Sequence, residues 1–274
     1  MLATGLRVRR TSSLLVLFAI ASGHSISRAD RLIEAREVTR GDYLAPRFSP
    51  DGRELLVTGP QLRGLFIVST GGTTAPSRTA ARAITDDAEA GVHATWASDG
   101  SIRYRAARAG GRRDLAISRA GVVRTVTQPA PVAFAKDDRM YVVDRTNAVI
   151  RIGSGDRFFG AVVAPDGDQV LFQGLTTGLH LYVRSTGTLR HIGPGTAPAW
   201  SPDSKRVAFE VTEDDGHDII ASELYVYDVA RDRVEPVTAT DAVIERRPSF
   251  SPTGERIAFD DNTGGIFVGR LEVR

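Results

Sequence analysis

The sequence predicts an all-β fold, a six-bladed β-propeller built from four-stranded antiparallel blades. Three observations carry that prediction: a short motif written six times, the period at which it returns, and the alternating strand that follows each copy. The fullest copy is Ala197-Pro198-Ala199-Trp200-Ser201-Pro202-Asp203-Ser204-Lys205-Arg206-Val207-Ala208-Phe209. Clear relatives are Pro46-Arg47-Phe48-Ser49-Pro50-Asp51-Gly52, Ala94-Thr95-Trp96-Ala97-Ser98-Asp99-Gly100, Val163-Ala164-Pro165-Asp166-Gly167 and Pro248-Ser249-Phe250-Ser251-Pro252-Thr253-Gly254. A degraded copy is Val132-Ala133-Phe134-Ala135-Lys136-Asp137-Asp138. Aligned at the turn Asp (Thr253 in the last copy), the spacings are 48, 38, 29, 37 and 50 residues. Their mean of about 40 is the period of propeller blades. Length alone would suggest two domains, but six such units fill the chain and leave one, over 24–274.

Residues 1–23 read as a secretory signal. Arg7, Arg9 and Arg10 supply the charged region, 14–21 an apolar stretch of eight, and Ala21-Ser22-Gly23 the small residues of a cleavage site. Eight apolar residues fall far short of the roughly 20 needed to cross a bilayer. The expected location is therefore the bacterial periplasm or the exterior, with no membrane span after removal. The chain has no cysteine, which excludes disulfides, thiolate metal sites and a lipidated cysteine anchor. Its formal charge of +2 becomes −1 without the signal, at 32 Lys+Arg against 33 Asp+Glu, so no basic field argues for nucleic acid.

The mature chain opens on 33–39, which alternates like a strand but precedes the first motif. The sixth unit ends at 266–273 without an outer strand. Pairing the two closes the ring and removes exposed strand edges. Blade one reads as 54–58, 65–69 and 79–85 after its inner strand. Blade two reads as 95–97, 102–106, 114–118 and 122–127. Blade three is short, with strands at 142–144 and 148–152 and no readable fourth. Blade four takes 161–164, 169–173, 179–184 and 189–192. Blade five takes 198–201, 206–211, 223–229 and 234–238, with a polar insert at 212–218. Blade six takes 249–251, 256–260 and 266–270.

The motif's chemistry is structural. Pro sets φ for the turn, Asp bonds back to the backbone, and Gly takes the positive-φ position. The Trp or Phe before it supplies apolar area between adjacent blades.

These units resemble the β-propeller repeats of the TolB type, also called PD40 or WD40-like repeats. Phe48 to Gly52, Trp96 to Gly100, Val163 to Gly167, Trp200 to Asp203 and Phe250 to Gly254 carry the likeness, supported by Leu181-Tyr182-Val183 and Leu224-Tyr225-Val226-Tyr227-Asp228. It covers about 32–274, the propeller only, without the additional N-terminal domain of TolB. The resemblance implies a periplasmic six-bladed propeller that binds proteins or small ligands.

Catalytic motifs are absent. The sequence holds no G-x-S-x-G, no H-E-x-x-H and no phosphate-binding glycine loop. Its five His are not at helical ligand spacing. The acidic stretch 213–218 lacks calcium-loop spacing and reads as a solvated hairpin insert. No cofactor and no metal is expected. Function is expected where the loops entering each inner strand converge on the channel mouth, because loops on a rigid scaffold carry binding residues. Tyr43, His93, Arg157, Phe158, Glu245, Arg246 and Arg247 are the candidate binding residues there, suited to an envelope protein or peptide. The expected molecule is a monomeric, non-enzymatic binding module. The alternatives are a channel-centred enzyme of lactonase or lyase type, metal-dependent or not, and the detached propeller of a peptidase.

Overall fold

A computed structural model describes residues 30–71, 80–91, 94–127, 131–240 and 243–273. The signal sequence and His93 lie outside the described residues. The motif turns place the strands as the repeat predicts. Blade one is β2 (Leu44–Phe48), β3 (Glu54–Thr58), β4 (Leu65–Ser69) and β5 (Arg82–Thr85). Blade two is β6 (Thr95–Trp96), β7 (Ile102–Arg108), β8 (Gly111–Ile117) and β9 (Val123–Thr125). Blade three has three strands, β10 (Ala133–Lys136), β11 (Arg139–Val143) and β12 (Val149–Ile152). Blade four is β13 (Phe158–Val163), β14 (Gln169–Gly174), β15 (Gly178–Val183) and β16 (Thr188–Gly193). Blade five is β17 (Thr196–Trp200), β18 (Arg206–Asp214), β19 (Ile219–Asp228) and β20 (Arg233–Pro236). Blade six is β21 (Arg246–Phe250), β22 (Arg256–Asp260), β23 (Gly265–Glu272) and, at its outer edge, β1 (Arg31–Arg40).

The ring closes as strand counting requires. Strand β1 runs antiparallel to β23 from Arg31 opposite Glu272 to Arg40 opposite Gly265. Val38 is buried, and the Leu32 amide donates to the Val237 carbonyl of blade five at 2.8 Å. The N-terminal strand therefore ties two blades and covers the edge that β23 would otherwise expose.

Three of the motifs build the same turn around a buried serine, Ser49, Ser201 or Ser251, where the other three carry Ala97, Ala135 and Ala164. Ser49 Oγ bonds Asp51 at 2.6 Å and accepts from the Glu54 amide at 3.0 Å; Ser201 repeats both contacts with Asp203 and Arg206 at 2.6 and 2.9 Å. Gly52, Gly100, Gly167 and Gly254 take positive φ, and in the fifth copy Ser204 does so at 60°. Pro252 packs beside Gly52 and Pro202 beside Gly254, so neighbouring turns nest around the ring.

Two differences from the sequence reading have physical causes. Inner strands β13, β17 and β21 begin two or three residues earlier than hydrophobic alternation suggests. Each contains a bulge with one residue in the left-handed region: Gly160 at 68°, Ala197 at 50° and Arg247 at 49°, matched by Ala45 at 53° in β2. A bulge slips the alternation by one and hides the strand's start. Strands β18 and β19 run further into the polar hairpin insert 212–218 than alternation suggests, because they stay paired out to Asp214 opposite Ile219.

Candidate functional site

The inner strands define two ends of the channel, one where they begin and one where they reach the motif turns. At the first end the bulges leave backbone amides pointing inward, and carboxylates from the neighbouring blade meet them. Asp260 of β22 accepts from the Ala45 amide of blade one at 3.0 Å, and Glu210 of β18 accepts from the Arg247 amide of blade six at 2.5 Å. Both carboxylates are buried. Arg247 also pairs with Asp260 through two guanidinium nitrogens, and Arg246 pairs with Glu210 at 2.9 Å. Burial pushes the Asp260 carboxyl up to about 6 against the opposing pull of Arg247. Arg246 and Arg247 are thus committed to holding blades five, six and one together.

The other sequence candidates are dispersed. Glu245 is buried, with Oε1 accepting from Thr240 at 2.8 Å and Oε2 without a partner among the described residues. Burial, with the Glu223 carboxylate nearby, raises its pKa to about 7. Phe158 is a core residue at 4 % exposure, edge-on to Phe172 with ring centres 5.3 Å apart. Its neighbour Phe159 is the exposed ring. Tyr43 packs on Phe66 at 5.2 Å, and Arg157 reaches across the surface to Asp138 at 3.0 Å. Of the seven candidates, Arg246 and Arg247 are brought into one cluster, as walls of the ring; no common binding face joins the described ones.

The open space lies at the other end. A cavity of about 820 Å³ occupies the channel on the motif-turn side. Its walls are the aromatic residues of the repeats, Phe48, Trp96, Trp200 and Phe250, with motif prolines at the rim. These rings do fill inter-blade space, as their clusters with neighbouring blades show, and they also face the channel. Between them sits a ring of equivalent positions one residue earlier in the motif: Arg47, Thr95, Val162, Ala199 and Ser249. Arg47 is the one charged member. Its side chain is reached by solvent yet enclosed by the channel walls, which lower its pKa, and a guanidinium stays charged nonetheless. In the repeats these residues stand at the variable position just before the aromatic one, or before Val163 in the fourth copy.

Among the described residues no three His, Cys, Asp or Glu converge in a metal-holding arrangement. No protein-family model matches the chain. Solved structures share the fold. A protein assigned as a TolB from Agrobacterium tumefaciens aligns with a TM-score of 0.55 at 17 % identity, over 90 % of this chain and 100 % of that one. A gluconolactonase from Xanthomonas campestris aligns with a TM-score of 0.56 at 10 % identity, over 88 % and 91 %. A chain of a mitotic checkpoint complex aligns at 0.52 and 11 % identity, over 95 % and 99 %. At these identities the likeness is one of fold.

Proposed function

We propose that the chain is an exported, non-enzymatic binding propeller whose ligand enters the channel from the motif-turn side. The observation that carries this reading is the cavity of about 820 Å³ with aromatic walls and, among the described residues, no acid or base lining it other than Arg47. Its size lies within the range of small-molecule sites, and apolar walls with a few polar groups are how such sites are built. General acid–base chemistry needs a titratable side chain within hydrogen-bond reach of the reacting atoms. The buried carboxylates Glu210 and Asp260 are instead engaged with arginines and bulge amides.

Protein 24–274 and an Ala199→Phe variant test this together. Ala199 lines the cavity, so the larger ring blocks it without removing a wall. A peptide, protein or small molecule retained from envelope extract by the first and lost by the second, at equal thermal stability, supports the binding reading. Turnover of lactones by the first and not by the second overturns it in favour of an enzyme.

A further inference from the structure

We infer that the channel receives a small organic carboxylate with an apolar body, its anionic end held by Arg47 and Ser249. This rests on the binding reading above and names the ligand's chemistry. Three observations lead to it. Arg47 has no ion-pair partner among the described residues, although it lies near Asp260 and Arg247. The inner ring of charges is Arg47, Arg246 and Arg247 against Glu210 and Asp260, and the two carboxylates are matched by the latter arginines. One positive charge therefore remains over, on the cavity wall.

The second observation is Ser249. It is 5 % exposed, lies on the same cavity wall, and its Oγ has no hydrogen-bond partner among the described residues. Buried hydroxyls are nearly always bonded, and this Oγ, itself closed to solvent, meets a ligand in the cavity by turning about χ1. Arg47 on β2 and Ser249 on β21 belong to neighbouring inner strands at equivalent motif positions. A planar guanidinium fork and one hydroxyl are complementary to the oxygens of a carboxylate. The third observation is the wall opposite in character. Trp96, Trp200, Phe48 and Phe250 offer flat apolar surface that suits an aromatic or aliphatic body and leaves a second charge unaccommodated. The bulge at Ala45 sets this up, because the register slip between Leu44 and Arg47 re-aims the side chains that follow it.

The chain has two tryptophans, and both line the cavity, so intrinsic fluorescence reports on it directly. Phenylacetate and its neutral isostere phenylacetamide are titrated into protein 24–274. Phenylacetate is expected to change the emission saturably and to bind about tenfold or more tightly than the amide. Arg47→Gln should abolish that preference, Arg47→Lys should keep part of it, and Ser249→Ala should weaken the acid by a few-fold and leave the amide unchanged. Should Arg47→Gln not fold, the acid-over-amide ratio of the unaltered protein and its loss with added salt carry the test. Equal affinity for acid and amide, unaffected at Arg47, overturns the carboxylate assignment and leaves the channel a receptor. No response to either compound overturns it as well, while the Ala199→Phe comparison judges the receptor reading separately.

Discussion

The indole nitrogen of Trp200 donates to the main-chain carbonyl of Val162 at 3.1 Å, from the inner strand of blade five to that of blade four. Trp96 does the same toward the Arg47 carbonyl of blade one, also at 3.1 Å. The acceptors occupy the same motif position in their blades, so the repeat carries an inter-blade staple written into its aromatic residue. Phe48 and Phe250 fill the corresponding places in blades one and six without a donor. There Arg256 compensates: it lies over the Phe48 ring at 5.2 Å and donates to the Gly52 carbonyl at 2.8 Å, joining blade six to blade one.

Replacing Trp200 by Phe keeps most of the apolar area and removes the staple. The Val162 carbonyl loses its partner, at a cost of about 1–2 kcal/mol. For a chain of this size that corresponds to roughly 2–6 °C in Tm. A calorimetric melt at neutral pH measures it, and an unchanged Tm would show that the bond contributes nothing.

Deletion of 31–40 tests ring closure. It removes the outer strand of blade six, uncovers the edge of β23, and breaks the Leu32 tie to Val237. The truncated protein is expected to aggregate or to melt at least 10 °C lower, far beyond an ordinary terminal trim. Light scattering during a thermal ramp reads both outcomes. A melt within a degree or two of the intact chain contradicts a structural role for β1.

The fold was legible because its information is local and repeated. Ser201-Pro202-Asp203 specifies one turn wherever it stands, and six such turns at one period leave few architectures. Closure by 33–39 followed from counting strands against hydrogen-bonding edges. The site was legible only in part. Loop position identified Arg246, Arg247 and Glu245 as recognition residues, but Glu210 and Asp260, the partners of the two arginines, lie on strands 36 and 13 residues away, and no local pattern announces a buried carboxylate. Phe158 and Phe159 are neighbours of identical type, and which of them turns inward depends on a bulge at Gly160. The aromatic motif residues were legible as packing and not as lining, because both roles select the same side chain.

Arg247→Ala should therefore act on stability before it acts on binding. It leaves Asp260 buried without its ion pair, and breaking a buried pair in this way costs about 3–5 kcal/mol. The loss should be larger at pH 8 than at pH 5. Asp260 already titrates near 6 in the folded protein, and without Arg247 it escapes the penalty in mild acid by taking a proton. Denaturant unfolding at the two pH values checks this. Equal losses at both would mean that Asp260 stays charged throughout.

Glu245 gives a second pH dependence, with the opposite remedy. Its folded carboxyl titrates at about 7 against 4.5 for the free side chain, because burial and the neighbouring Glu223 disfavour its charge. A raised carboxyl pKa means that the folded state binds the proton more tightly than the unfolded chain. Its contribution is present in full below about 4.5 and is lost as the pH rises through about 7. Glu245→Gln keeps the shape and an acceptor for Thr240, and it carries no charge to desolvate. The variant should match the unaltered protein near pH 5 and exceed it by about 1–3 kcal/mol at pH 8. Unfolding free energies of both proteins across pH 5–8 decide the matter, since curves that stay parallel would place the ionised carboxylate comfortably in the fold and remove the assigned shift.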